Sequence, residues 1–286
     1  MSRRKRKENG AEGAQREPPL RRWLQWAGWI LAISGAAAGA AFFLLEWNRF
    51  LSRDARFALP EEDAPRAGVS IEGAARVSRA AVLKVFAADR GRSIADIDID
   101  RRREQLRRID WVREATVRRI WPNRLLVRIE EREPVAMIQV PAGISGSFGE
   151  PLRMQPMLID ADGVILPMQG PVPRALPLLM GVRREQDIER RRRLVHLMLR
   201  VLEELRPAAS SIPEVDVTDP ENVRVAYQTP DHLVVLALGN EKYLERLNVF
   251  LGHLEAIRDR LSHRAVLDLT TEGRITLVEA SPEDKR

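Results

Sequence analysis

The residues in this sequence that are best suited to metal binding or acid–base chemistry are four histidines and one short acidic motif. The motif, Asp-Ala-Asp-Gly at positions 160–163, begins like a calcium-binding loop but lacks the later oxygen ligands and the bidentate glutamate that such a loop needs. We therefore predict a hairpin turn there. The histidines do not have the HExxH spacing of a zinc-protease helix; they are His196, His232, His253 and His263.

The local patterns that usually accompany catalysis are also missing from the sequence. There is no cysteine, which excludes disulfides, thiolate metal sites, iron–sulfur clusters and thiol nucleophiles. Neither a GxSxG nucleophile elbow nor the phosphate-binding patterns GxxxxGK and GxGxxG occur. We predict a protein that is not an enzyme and that has no cofactor and no metal site.

The positive charge of the chain is concentrated at its N-terminus. Residues 1–22 contain eight basic and three acidic side chains, so they supply +5 of the formal net charge of +6. Nucleic-acid binding would require a basic folded surface, which this distribution does not indicate. We interpret residues 1–22 as a basic tail.

A long uncharged segment follows the basic tail. No charged side chain occurs between Leu24 and Leu45, and a helix of that length spans about 33 Å, enough for the hydrocarbon core of a bilayer. Tryptophans crowd its start and Trp47 follows its end, as expected at the two headgroup layers. We predict one transmembrane helix over 23–46. The alternative, a cleaved signal peptide, is disfavoured because the apolar run continues through 42–45.

The charges on either side of this helix predict its direction. Basic residues dominate before it, whereas residues 46–66 carry four arginines and five acids. Because basic segments stay on the cytoplasmic side, we predict a cytoplasmic N-terminus and an extracytoplasmic remainder, anchored in the inner membrane. Gly35 and Gly39 form a small-xxx-small pair that would admit a second helix. We favour the alternative of an alanine-rich, lipid-facing helix.

The next two segments read as a linker and a small α+β domain. Residues 47–67 are polar and contain two prolines, which is typical of a linker. In residues 68–134 an alternating strand is followed by two helices, with Ser78 and Asp100 as suitable N-caps, and then by two alternating strands around a turn at 121–123. The predicted order is strand, helix, helix, strand, strand.

Residues 135–278 are predicted to form a mixed β domain with helices. Apolar stripes predict helices over 185–205 and about 241–261. Two alternating segments, 266–269 and 274–278, flank a glycine-containing turn and predict a terminal hairpin.

A series of short motifs runs along the extracytoplasmic part of the chain. In order, they are Asp110-Trp111-Val112, Trp121-Pro122-Asn123, Glu131-Arg132-Glu133-Pro134-Val135-Ala136, Leu158-Ile159-Asp160-Ala161-Asp162-Gly163, Leu176-Pro177-Leu178-Leu179-Met180-Gly181 and Val266-Leu267-Asp268-Leu269. Together with the basic tail and the single anchor, this series resembles the FtsQ/DivIB family of bacterial division proteins. One departure is Thr270, which stands where the family often has arginine.

The resemblance implies a fold and a role. The fold is α+β, a single transmembrane helix followed by a POTRA domain of βααββ order and a C-terminal mixed β domain with helices. The role is a non-catalytic scaffold that links and localises divisome membrane proteins at the division septum. Its partners would be FtsB/DivIC-like and FtsL-like single-pass proteins and inner-membrane lipid, with no nucleic acid and no small-molecule substrate.

Two other functions remain as alternatives. A POTRA-type chaperone in secretion or outer-membrane assembly would be expected to carry tandem POTRA repeats or a C-terminal barrel. A periplasmic cell-wall enzyme would need a carboxylate pair in a cleft.

The last strand is our candidate for partner binding. Only the polar tail 279–286 follows it, so we expect a sheet edge to which a partner's strand can add. The alternative is an edge that polar side chains protect and no partner uses. Trp121, at the tip of the POTRA hairpin, is a second candidate, although we favour its packing against Pro122 and the adjoining domain. The residues predicted for the edge are Thr271, Arg274, Ile275, Thr276, Leu277 and Val278.

Overall fold

A computed structural model of the chain describes residues 19–64, 67–142, 153–169, 176–258, 261, 265–271 and 273–278. The first 18 residues of the predicted basic tail, Glu272 in the predicted terminal turn, and the predicted polar tail 279–286 lie outside the described residues.

The described residues form helices and sheets in an α+β arrangement, as predicted. The helices are α1 (Pro19–Arg53), α2 (Arg79–Val85), α3 (Ile99–Arg107), α4 (Ile188–Glu204) and α5 (Tyr243–Ile257). The strands are β1 (Gly68–Glu72), β2 (Val112–Ile120), β3 (Arg124–Glu131), β4 (Pro134–Pro141), β5 (Met154–Asp160), β6 (Ile165–Leu166), β7 (Leu178–Met180), β8 (Glu214–Asp216), β9 (Val223–Gln228), β10 (Leu233–Gly239), β11 (Val266–Asp268) and β12 (Thr276–Val278).

The chain divides into two compact units. The first contains residues up to Ser70 together with 87–98 and 118–126, and the second contains the remainder. The predicted POTRA segment, 68–134, contributes residues to both units. The domain boundaries drawn from the sequence therefore stay predictions.

Among the described helices, α1 alone is long and apolar enough to cross a membrane. Its apolar stretch is Trp26–Arg53, and the rest of the chain buries none of the side chains in its most apolar window. The 35 residues of α1 extend about 52 Å, so the helix is longer than the predicted 23–46. It continues because no proline or glycine follows Gly39 before Asp54, whose carboxylate caps the next helical turn, Ala55–Phe57.

Part of the segment predicted as a linker is packed. Leu59 is fully buried. Its N–H donates to the Arg92 carbonyl and its carbonyl accepts from the Gly91 N–H, both at 2.8 Å. The sequence did not indicate this contact, because a single leucine among polar residues has no periodicity.

The POTRA-type elements follow one another in the predicted order. Strands β1, β3 and β2 form a three-stranded sheet with β3 in the middle. The Ser78 hydroxyl accepts from a backbone N–H of α2 at 3.1 Å and caps that helix, as predicted. Asp100 is not the predicted N-cap, since α3 begins at Ile99. It lies instead in the first turn, where a carboxylate is favoured by the helix dipole, and its carboxylate is 3.5 Å from Arg103.

Glu131, at the end of β3, holds the segment that precedes α2. One of its carboxylate oxygens accepts hydrogen bonds from the three successive backbone N–H groups of residues 75–77, at 2.7–2.8 Å. Hydrogen bonds to a charged acceptor are stronger than neutral ones. The Glu131 carboxylate therefore satisfies and fixes three backbone N–H groups in a segment that forms no regular structure.

The remaining strands form one mixed sheet of nine strands, in the order β12-β11-β10-β9-β8-β7-β4-β5-β6. Helices α4 and α5 share a buried core with this sheet, in which the Phe250 ring meets Tyr227 edge-on at 5.7 Å. Both helices are shorter than predicted. The Asp187 carboxylate caps α4 by accepting from the Arg190 N–H at 2.7 Å, and Lys242, with φ of +55°, cannot belong to α5.

Candidate partner-binding edge

Strand β12 lies at one edge of the nine-stranded sheet. It pairs antiparallel with β11, and no described strand lies on its other side. The register places Val278 opposite Val266 and Thr276 opposite Asp268. The predicted terminal hairpin is present, but its last strand covers 276–278 and not 274–278.

The hydrogen bonds of β11 show which backbone groups of β12 point outward. The odd-numbered residues of β11 and its flanks bond to β10; for example, the Leu269 N–H donates to the Ala237 carbonyl at 3.0 Å. The even-numbered residues of β11 therefore direct their backbone N–H and C=O groups toward β12. Their partners Thr276 and Val278 direct the same groups toward β11. The N–H and C=O of Leu277, which lies between them, point away from the sheet.

The side chains of β12 are exposed as well as its backbone. All three residues are exposed, and the exposed fractions are 53% for Leu277 and 45% for Val278. Large apolar side chains on an uncovered edge favour pairing with another chain, so folded proteins usually cover or charge such an edge. This edge has the geometry that strand addition requires.

The other predicted edge residues lie in the turn before β12. The Thr271 carbonyl accepts from the Arg274 N–H at 3.2 Å, around Gly273 with φ of +64°, and both the Thr271 and Arg274 side chains are exposed. Ile275 is half-buried and packs against the core of the domain. The predicted strand start at Arg274 is two residues too early, because this turn and the inward packing of Ile275 precede β12.

Asp268 organises the start of the terminal turn. Its carboxylate accepts from the Thr270 N–H at 2.8 Å and from the Thr270 hydroxyl at 2.7 Å. These hydrogen bonds, with Arg246 nearby, hold the pKa of Asp268 below its ordinary value, although partial burial opposes the shift. Thr270, the departure from the family pattern, therefore has a structural role. An acid followed two residues later by threonine is a recognisable turn signal that the sequence reading did not use.

We expect the stability that Asp268 contributes to depend on pH. A carboxylate whose folded-state pKa is depressed stabilises the fold above its unfolded-state pKa, which is near 3.8, and loses that contribution as the pH falls through the folded-state pKa. Urea unfolding of the full chain in detergent should show Asp268→Asn to be less stable by about 1–2 kcal/mol between pH 5 and 7. The difference should shrink below pH 4, and a difference independent of pH would contradict this assignment.

Trp121 lies in the turn between β2 and β3, and its side chain is 51% exposed. The nearest described aromatic partner is Phe57, in the helical turn after α1, whose ring it meets edge-on at 5.4 Å. From the sequence we favoured packing of Trp121 against Pro122 and the adjoining domain, and this stays a prediction. Phe57 belongs to the segment 47–67 that the sequence predicted as a linker.

The acidic motif 160–163 forms a hairpin turn, as predicted. It connects the antiparallel strands β5 and β6. The Asp160 carboxylate lies 2.6 Å from the Arg132 guanidinium, and it also accepts a hydrogen bond from the Val164 N–H at 2.8 Å. His196 contacts the Ala161 carbonyl at 3.1 Å. Across the described part of the chain, no three histidine, aspartate or glutamate side chains are grouped as a metal site would require.

Comparisons with known proteins agree with this architecture. Residues 65–132 match the family model described as POTRA domain, FtsQ-type. The chain is 34% identical over 232 residues to the cell division protein FtsQ of Rhodothermus marinus, and the match covers 76% of this chain and 79% of that protein. The chain belongs to the FtsQ family of cell division proteins. The resemblance that the sequence motifs indicated is thereby confirmed.

Two further FtsQ proteins are similar over most of the chain. The match to FtsQ of Koribacter versatilis has 30% identity over 228 residues and covers 78% of this chain. The chain spans only 61% of that protein, which is less than two-thirds of its length. The match to FtsQ of Nitrosospira multiformis has 26% identity over 241 residues and covers 84% of this chain and 89% of that protein. These matches support an FtsQ-type cell division protein, and the described residues contain one candidate membrane helix.

Proposed function

We propose that this FtsQ-family protein is a non-catalytic scaffold that links and localises other division proteins at the septum by accepting a partner's strand at β12. The observation that carries the proposal is the outward-facing N–H and C=O of Leu277 on an exposed edge strand. An added strand would pair with these groups and would cover the exposed Leu277 and Val278 side chains.

The partners in this proposal are single-pass membrane proteins of the FtsB/DivIC and FtsL type. They would contribute an extended segment on the same side of the membrane as β12. Because strand addition uses backbone groups, the partner's sequence is constrained mainly by the side chains that meet Leu277 and Val278.

Confinement to the inner membrane is the second part of the proposal. The basic residues of 1–22 support a cytoplasmic N-terminus. Helix α1 then carries the POTRA domain and the β domain on the extracytoplasmic side. Anchoring both partners in one membrane raises their effective concentration, so a short strand contact is sufficient for a specific complex.

The experiment compares two substitutions of one residue. Leu277→Pro removes the outward N–H, whereas Leu277→Thr removes the apolar side chain and keeps the N–H. The full-length proteins are used as bait in detergent-solubilised membranes of the source organism, and single-pass coiled-coil division proteins are quantified. We expect capture to fall about tenfold or more with proline, corresponding to about 1.4 kcal/mol or more of lost binding free energy, and only a few-fold with threonine.

Two controls make this experiment decisive. The urea midpoints of both variants should stay close to that of the unsubstituted chain, because proline is tolerated where an edge N–H points to solvent. Undiminished capture by a folded Leu277→Pro protein would refute strand addition at β12. Equal losses with proline and threonine would point to side-chain docking without strand pairing.

A further inference from the structure

Five aromatic side chains form a continuous series that leads from α1 to the β2–β3 turn. We call this series the aromatic ladder. Successive ring centroids are 6.1, 6.1, 5.8 and 5.4 Å apart, and the last two contacts are edge-on. The ladder consists of Phe43, Trp47, Phe50, Phe57 and Trp121.

Hydrogen bonds attach the end of α1 to the loop that precedes α3. The Ser93 hydroxyl donates to the Leu51 carbonyl at 2.7 Å, and the Ser52 hydroxyl donates to the Asp96 carboxylate at 2.8 Å. The Ile94 N–H donates to the carbonyl of Phe57 at 2.9 Å. These groups belong to one compact unit, which also contains residues 118–126. The β2–β3 turn is therefore fixed relative to the end of the membrane helix.

The outer part of the ladder is exposed although it is apolar. About half of the Trp47 and Trp121 side chains and nearly half of Phe50 are exposed. An open cleft of about 580 Å³ adjoins them, lined by Phe50, Arg56, Phe57, Pro122 and Asn123. Tryptophan, with an apolar body and a polar N–H, is enriched at the membrane–water interface.

The distances along the chain keep this surface within reach of the lipid headgroups. Phe50 is five residues beyond Leu45, the end of the uncharged run, which is about 7.5 Å along a helix axis. Each headgroup layer is about 5–8 Å thick. The Trp121 ring lies at most about 11 Å from Phe50, because the two steps through Phe57 measure 5.8 and 5.4 Å. A moderate tilt of α1 toward the Trp121 side would bring the ring into the layer.

The charges around the ladder fit a phosphate-bearing surface. Arg56 lies 5.9 Å from the Phe50 ring and 6.0 Å from the Phe57 ring, and its guanidinium also pairs with Asp54 at 2.8 Å. Arg53, in the last turn of α1, is exposed and has no ion-pair partner among the described residues. Arginine beside interfacial aromatic rings is suited to contact lipid phosphates while the rings contact the glycerol region.

We propose that the 121–123 turn and the exposed ladder rings are seated in the extracytoplasmic headgroup layer of the membrane that α1 spans, with Trp121 as the anchor and Arg53 as a phosphate contact. The proposal rests on α1 crossing the membrane, which is part of the proposed function. The occupant is the lipid surface because the ladder is continuous with the spanning helix, so lipid already surrounds its first members. This contact with the headgroups would hold the first compact unit close to the bilayer.

The test uses the absence of cysteine, which makes any introduced cysteine unique. Full-length Asn123→Cys, which keeps Trp121, is labelled with an environment-sensitive fluorophore and reconstituted in phosphatidylethanolamine–phosphatidylglycerol vesicles containing headgroup-nitroxide lipid. Glu46→Cys, directly after the uncharged run, is the lipid-contact reference. Glu104→Cys, exposed on α3 and with no described contact to the ladder, is the solvent reference. We expect the fluorescence loss at 123 to approach that at 46 and to exceed that at 104.

A second variant tests the anchor itself. Adding Trp121→Ser to Asn123→Cys should reduce the quenching at 123 toward the value at 104, because serine has little affinity for the interface. If the label at position 123 is quenched no more than the label at 104, while the label at 46 is quenched, the proposed location in the headgroup layer is wrong. Quenching that Trp121→Ser leaves unchanged would overturn Trp121 as its anchor. If the label at position 46 is also unquenched, the placement of α1 in the membrane is wrong as well. Strand addition at β12 is tested separately, by the Leu277 experiment.

Discussion

Replacing Arg132 with methionine is expected to lower the free energy of unfolding of the full chain by about 3–5 kcal/mol. The Arg132 side chain is only 16% exposed and its partner Asp160 only 5%, and the two groups are 2.6 Å apart. Asp162 is a more distant partner, at 3.5 Å. Without the guanidinium, the Asp160 carboxylate stays buried with no opposite charge, and the cost of its desolvation is no longer offset.

Urea unfolding of the full chain in detergent measures this effect, and Arg128→Met is its matched control. Arg128 pairs with Glu72 at 3.1 Å, but both side chains are well exposed, so its loss should cost no more than about 1 kcal/mol. The double variant Arg132→Met, Asp160→Asn should recover part of the loss, because it removes the uncompensated charge. Equal costs for the Arg132 and Arg128 variants would show that the buried pair does not stabilise the fold.

Replacing Gly163 with alanine is expected to cost about 2–4 kcal/mol. The backbone of Gly163 has φ of +79°, which residues with a Cβ rarely adopt. A Cβ there would also lie 2.6 Å from the Arg192 amide nitrogen and 3.0 Å from the Ile188 carbonyl oxygen. Both are backbone atoms of α4, which cannot move aside as a flexible side chain can. The turn after β5 and helix α4 would have to separate.

The control for this substitution is Gly252→Ala, in the interior of α5. A Cβ at Gly252 would meet no atom within 4 Å, so alanine should be neutral or should stabilise the helix by up to about 1 kcal/mol. Hydrogen–deuterium exchange should show faster exchange in 154–166 and in the first turns of α4 for Gly163→Ala alone. Wild-type exchange in both segments would contradict the predicted clash.

Both predictions concern motifs by which the sequence resembles the FtsQ family. Arg132 lies in the motif after β3, and Gly163 ends the acidic turn. The structure gives them a shared mechanical role: the Arg191 guanidinium donates to the Gly163 carbonyl at 2.9 Å, and Arg113 lies 3.8 Å from Asp162. The turn is therefore held by Arg113 from β2, Arg132 from the segment after β3 and Arg191 from α4.

The sequence by itself determined the features whose signals are local. An uncharged run as long as Leu24 to Leu45 can satisfy its backbone in lipid as a helix, so the candidate membrane helix could be read directly. The order of the POTRA-type elements followed from alternation and from the Ser78 cap. The acidic turn, the terminal hairpin and the family were predicted for the same reason, since each depends on neighbouring residues.

Only the tertiary structure decided the contacts between distant segments. Leu59 is fully buried and its backbone bonds to Gly91 and Arg92, more than 30 positions away, and the ring of Trp121 contacts that of Phe57, in the segment predicted as a linker. The chain order predicted that β12 would be an edge strand. Whether the backbone N–H and C=O of Leu277 or those of its neighbours point outward depends on the register of β11 with β10 and β12. Pairing between strands is set by packing across the whole sheet, and shifting it by one residue reverses every outward group, so no local pattern can specify it.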